Sequence, residues 1–312
     1  MSARRMLRAL LALQGAAAIA IGYAAARLFG VHPAALALAL GLGVVLLVRL
    51  LITANNFVLS ARFASATPAR FRLGPAARVR LFAEEFAATM LHSSWFMARA
   101  RARTRIYRDS PVPPILLLHG YGCNSGYWSH LTPILDAARI SHASVDLEPV
   151  MADIDAYVPL VHRRIEDLCA EVGTAQVLIV AHSMGGLVAR AYLRAHGGAR
   201  VAHVFTLGTP HHGTALANFG IGPNAAQMRR EEGAAAPESA WLRALAASES
   251  AATRAKFTSL YTHHDNIIAP QTSSFLPGAR NIEMGGVGHV ALAGNARVLA
   301  ILVQEIAMMF TR

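Results

Sequence analysis

The sequence predicts an α/β protein, a mostly parallel sheet flanked by helices, preceded by two transmembrane helices. Three observations lead there. Between 143 and 207, short apolar runs alternate with helical patterns, as strands joined by crossover helices do. A buried-strand pattern ending at Ala181-His182 stops abruptly at Ser183 and gives way to Met184-Gly185-Gly186 and a helical pattern. Two long, almost uncharged runs, 6–26 and 34–54, open the chain.

The two runs come first. The 312 residues suffice for one large α/β domain and more, and an apolar content of 54% with mean hydropathy +0.38 is high for a purely soluble protein. The excess lies at the front. About 20 residues rising roughly 1.5 Å each cross a hydrocarbon layer of about 30 Å, and each run has that length. Past Arg8 at its start, Gln14 is the only strongly polar interruption inside the first, and Arg49 lies near the end of the second, where its stem can snorkel. Phe29-Gly30-Val31-His32-Pro33 forms the turn between them, so a hairpin over 1–54 is expected. The competing reading is a cleaved signal peptide, since Arg4, Arg5 and Arg8 precede the first run and Ala24-Ala25-Ala26 supplies small residues for cleavage. The length of the first run and the second run immediately after it favour a retained hairpin. Arginines flank the outer ends (Arg4, Arg5 and Arg8, then Arg62, Arg70, Arg72, Arg78 and Arg80), while only Arg27 lies near the turn. Both termini are therefore expected on the cytoplasmic side.

Residues 55–102 read as a basic, amphipathic linker. Phe82, Phe86, Met90 and Leu91 recur at helical spacing, which predicts a helix over about 79–99 whose apolar stripe packs on the membrane or on the following domain. Much of the net charge of +11 sits in the first 108 residues, clustering at Arg99, Arg101, Arg103, Arg105 and Arg108, and suits anionic lipid headgroups. No DNA-reading or RNA-binding signature accompanies it, so nucleic acid is not an expected partner. Cys123 and Cys169 are too few and too separated for a disulfide framework or a metal site, and no cofactor is expected.

From about 103 the elements follow in order. Ile115-Leu116-Leu117-Leu118 is a buried strand running into His119-Gly120-Tyr121-Gly122, a glycine loop. Backbone N–H groups in such loops can meet a developing oxyanion without reorganising. Strands are expected over 143–147, 176–181 and 201–207, with helices over 154–172 and 184–196. The turn at Ser183 fits G-x-S-x-G with Ala181 at the first glycine, the small-residue pattern of a strained strand-to-helix turn that exposes a serine. A strand from 257 leads to Asp265, and Asn281-Ile282-Glu283-Met284 leads to His289 on a glycine-rich loop. In a parallel sheet these strand ends gather along one edge.

With the order Ser183, Asp265, His289, the sequence over 113–312 resembles the bacterial α/β-hydrolase lipases and esterases, through His119-Gly120, Ala181-His182-Ser183-Met184-Gly185-Gly186, Gly208-Thr209-Pro210-His211-His212-Gly213, Asp265 and His289. The resemblance implies an α/β-hydrolase domain over 103–312. It implies Ser183 as nucleophile, His289 as general base, Asp265 as its orienting acid, and Tyr121 and Met184 as oxyanion donors. Many secreted relatives hold calcium near the catalytic histidine. No carboxylate-rich pattern surrounds His289 here, so calcium is not carried over and no metal site is expected. The insertion at about 213–255 reads as a lid, and its apolar composition favours an uncharged acyl chain, with Trp241 and Leu242 expected to line the acyl pocket or else to pack a helix on the core. The expected activity is hydrolysis of acyl esters or lipids by a protein anchored in the bacterial inner membrane, its catalytic domain cytoplasmic. An amidase or acyltransferase would use the same three side chains, and a non-catalytic scaffold could share the fold.

Overall fold

The computed structural model describes residues 2–230 and 238–310. Two helices open it, α1 (Ala3–Phe29) and α2 (Ala34–Arg62), joined by the short turn at Gly30, which takes the left-handed conformation that closes α1. They are antiparallel and cross closely because small residues meet there: a side chain at Gly22 would strike the Ala37 carbonyl, and one at Gly41 the Ala18 carbonyl. Both are long and apolar enough to cross a membrane, and little of either apolar stretch is covered by the rest of the chain. The second extends eight residues past the expected end at 54. Asn55 and Asn56 end the apolar run but not the helix, which continues to its C-cap at Phe63.

The base of this hairpin is fastened to the body of the protein. The Ala3 N–H donates to Glu148 Oε1 (3.1 Å), Arg8 Nε donates to the Ala98 carbonyl (2.9 Å), and the Arg49 guanidinium donates to Ser94 Oγ (2.7 Å) and to Ser93 Oγ. The segment read as a linker carries α3 (Pro75–Leu91), a wide π turn at His92–Phe96 and α4 (Met97–Arg99), close to the expected 79–99.

Among the described residues seven strands form one sheet: β1 (Thr104–Arg105), β2 (Ile115–Leu118), β3 (His142–Val145), β4 (Val177–His182), β5 (Val201–Leu207), β6 (Phe257–Thr262) and β7 (Arg280–Met284). Their order is β1-β3-β2-β4-β5-β6-β7, all parallel except β1 against β3. The helices α5 (Thr132–Ala137), α6 (Val158–Val172), α7 (Met184–His196), α8 (Pro223–Gln227), α9 (Ala240–Ala247), α10 (Ala251–Arg254) and α11 (Ala296–Met308) accompany it. The alternation of a strand sorts the core into two layers. Leu116, Leu118 and Ile179 face Ile165 of α6 and Leu187 of α7, whereas Leu117, Leu178 and Val180 face Trp128 and Leu302 of α11. Burying each such side chain stabilises by about 1.5–3 kcal/mol relative to exposing it, and the two layers hold β4 rigidly at the centre.

Candidate active site

The last residue of β4 delivers Ser183 into a turn at φ 53°, ψ −127°, a left-handed conformation that a residue with a side chain adopts at a cost of about 1–3 kcal/mol. Surrounding bonds impose it. The Ser183 N–H donates to the Leu207 carbonyl (2.9 Å), and the Ser183 carbonyl accepts from Thr209 Oγ1 (2.9 Å) and from the Gly186 N–H (3.0 Å). The glycine after Met184 is required by crowding, since a Cβ at Gly185 would lie 2.5 Å from the Leu118 carbonyl oxygen. Ser183 is 6% exposed and lines a cavity of about 270 Å³.

Asp265 lies three residues past β6. Its Oδ1 accepts the N–H groups of Ile267 (2.8 Å) and Ile268 (2.7 Å), which leaves Oδ2 aimed at His289 Nδ1, 2.8 Å away. A carboxylate at Nδ1 fixes the proton there and leaves Nε2 as the free lone pair; among the described residues Nε2 has no partner. Burial pulls the imidazole pKa down, but the Asp265 charge and hydrogen bond, helped by the Glu85 charge, outweigh it, so His289 ends above its ordinary value. The histidine loop is held by its own N–H donating to Asn266 Oδ1 (3.0 Å), and the imidazole packs against that of His182, centroids 4.5 Å apart. His182 precedes Ser183, and its Nε2 meets the His289 carbonyl at 3.3 Å, so the elbow and the histidine loop are coupled directly. Burial, then the neighbouring His289, keep His182 neutral, well below the usual imidazole range. The Ser183 hydroxyl bonds to no protein group among the described residues, as for many hydrolases whose serine–histidine bond tightens only around substrate.

Of the two expected oxyanion donors, Tyr121 lies on the loop after β2 and Met184 at the first turn of α7. Among the described residues neither backbone N–H has a protein acceptor. The loop is shaped by His119, whose Nδ1 meets the Gly120 carbonyl (2.9 Å) while Nε2 accepts the Leu147 N–H (2.9 Å). The Tyr121 hydroxyl reaches across to Ile221, donating to its carbonyl (2.8 Å) and accepting its N–H (3.1 Å).

Trp241 and Leu242 do not line the cavity. Leu242 is fully buried beside Leu245 in the core layer under α7, and Trp241 donates from Nε1 to Asp155 Oδ2 (2.9 Å). Packing a helix on the core is therefore what both do. Leu216, Phe219 and Met228 of the same insertion line it instead, together with Ile267 and Ile268. Part of the insertion, 231–237, lies outside the described residues.

Three residues of the site escape local sequence reading. Asn56 and Leu59, near the end of α2, form part of the cavity wall. Glu85 of α3 is fully buried against the histidine loop, its Oε1 accepting the Val290 N–H (3.0 Å) and Oε2 the Ala291 N–H (2.9 Å). Gly288 makes room for it, since a Cβ there would fall 2.5 Å from Glu85 Oε2. Burial raises the Glu85 pKa, and those two N–H groups oppose the rise. The available signal was a charge one helical turn after Leu81, on the face of α3 that is buried. Among the described residues no three His, Cys, Asp or Glu side chains converge as metal ligands.

A profile of the alpha/beta hydrolase family matches residues 115–301, more than half of the chain. The chain belongs to the alpha/beta hydrolase family. Among solved structures, this hydrolase is similar to the mature lipase BlEst2 of Bacillus licheniformis, with 17% identity, TM-score 0.56, and coverage of 66% of this chain and 97% of that one. It is also similar to Aspergillus fumigatus lipase B, with 17% identity, TM-score 0.53, and coverage of 65% of this chain and 56% of that one. At such identities the likeness is one of fold. It agrees with the parallel sheet flanked by helices described above.

Proposed function

We propose that this hydrolase is a membrane-anchored serine esterase acting on esters of apolar acyl chains. The observation that carries the reading is the Asp265–His289 pair at 2.8 Å, packed through His182 against a strained Ser183 at an apolar cavity. Ser183 Oγ attacks the ester carbonyl while His289 Nε2 takes its proton, and Asp265 stabilises the imidazolium. The N–H groups of Tyr121 and Met184 receive the oxyanion, Met184 aided by the positive end of α7. His289 returns the proton to the departing alcohol, and water repeats the sequence to release the acid. Both named relatives are lipases, in keeping with this chemistry.

Ser183→Ala should abolish hydrolysis of p-nitrophenyl esters and labelling by a fluorophosphonate. Loss of the serine removes about 10⁶ in turnover in well-studied serine hydrolases. Near-normal activity in that variant would remove the assignment. For location, α1 and α2 span the membrane with the arginine-flanked ends and the catalytic domain on the cytoplasmic side. A reporter fused after Arg312 reads that side, and a periplasmic signal would reverse it.

A further inference from the structure

The cavity at Ser183 is not closed by the hydrolase domain alone: Asn56 and Leu59 belong to α2, the second of the two candidate membrane helices, and α2 packs there against the Ala215–Phe219 turn. From Arg49 to Leu59 is about 15 Å along the helix axis. Over that distance Leu51, Ile52 and Val58 remain exposed, and one polar turn, Asn55 and Asn56, lies between them. Phe219 of the cavity wall and Ile221, two residues on, are 65% and 68% exposed, the latter held by the hydroxyl of Tyr121, another lining residue. Large apolar side chains so exposed beside a catalytic cavity mark a surface that meets something apolar. Asn56 is polar, its side-chain amide unbonded among the described residues and free to meet the polar end of a ligand.

We propose that the substrate is a long-chain ester lipid taken directly from the bilayer, its acyl chain passing between α2 and the Phe219–Ile221 rim, so that the anchoring helix is itself one wall of the acyl site. The inference rests on the esterase reading above and adds the substrate class and its route. A lipid leaving the bilayer along α2 keeps most of its chain on apolar side chains, which lowers the cost of exposing it to water. At the end of that path the ester carbonyl meets Ser183. The acyl group passes to Ser183 Oγ, the lipid alcohol departs with the proton carried by His289, and water releases the fatty acid.

The test uses the full chain reconstituted in vesicles of dioleoyl phosphatidylcholine and dioleoyl phosphatidylglycerol doped with dioleoylglycerol, following oleate release beside hydrolysis of soluble p-nitrophenyl butyrate. Oleate release is expected from the wild type. Leu59→Trp, which fills the wall, should lower the ratio of oleate release to butyrate hydrolysis at least tenfold, while Leu59→Ala, which opens it, should hold or raise that ratio. Butyrate cleavage without oleate release, or a ratio unmoved by both substitutions, overturns the bilayer route and leaves the esterase reading standing. Failure of both substrates together with failure of a fluorophosphonate to label Ser183 overturns the esterase reading, and the inference with it.

Discussion

Replacing Glu85 tests whether a residue outside the hydrolase sheet sets His289, the proposed general base. Its carboxylate takes two backbone N–H groups of the turn after His289, at 3.0 and 2.9 Å, from a fully buried position. Glu85→Ala leaves both donors without an acceptor, each costing about 1–3 kcal/mol, and leaves a small cavity beside Gly288. A loss of about 3–5 kcal/mol is expected, or about 10 °C in melting temperature for a domain of this size. Glu85→Gln keeps one acceptor and the volume, so its loss should be about 1–3 kcal/mol. The decisive readout is the acid limb of kcat/KM. The base works as neutral imidazole, so activity rises with pH through the His289 pKa, which Glu85 helps to hold above its ordinary value. In Glu85→Gln that limb should move to lower pH. A Glu85→Ala protein that melts like wild type, or a Glu85→Gln acid limb that stays in place, would refute the role.

Asp265→Asn removes the larger support of the same imidazolium, so the acid limb should fall further while turnover drops by about 10⁴, as loss of the orienting carboxylate does elsewhere. For stability the sign is the opposite of activity: a raised histidine pKa means that His289 contributes below its unfolded value and loses that contribution as pH rises through the folded one, which a pH series of melting curves would show. Trp241→Ala should leave acyl-chain preference unchanged, because Trp241 is absent from the cavity wall, and lower stability by about 1–3 kcal/mol through the lost Asp155 bond and packing; a shifted chain-length profile would contradict it. Glu249→Ala should cost about 3–5 kcal/mol in urea unfolding, because Arg190, fully buried in a two-bond pair with Glu249, would be left charged and unpaired.

The candidate triad was legible because each member sits where a strand ends, and strand ends in this chain are abrupt. The apolar run of β4 stops at His182, β6 stops at Thr262 and β7 at Met284, and the following loop carries the candidate reactive group. Glu85, Asn56 and Leu59 were not legible because their partners lie far along the chain, so no local pattern links them. Hydropathy ended the second apolar run at 54, where the polar Asn55 and Asn56 begin, although nothing there stops a helix. Trp241 and Leu242 illustrate a different limit. Composition identified an apolar helix, but Leu242 and Leu245, three apart, turn toward the core, and which side of a short helix meets a cavity is decided by docking.

Glu148, Ala98, Ser93 and Ser94 grip the hairpin at three separate points, through Ala3, Arg8 and Arg49. An enzyme on a floppy leash samples every orientation, whereas one bolted at three corners keeps a single heading relative to its mount. Here the mount is two helices long, and the heading of the catalytic mouth is inherited from their axes. Swapping the first 62 residues for an unrelated helical pair would therefore leave the mouth without a bearing and without one of its sides.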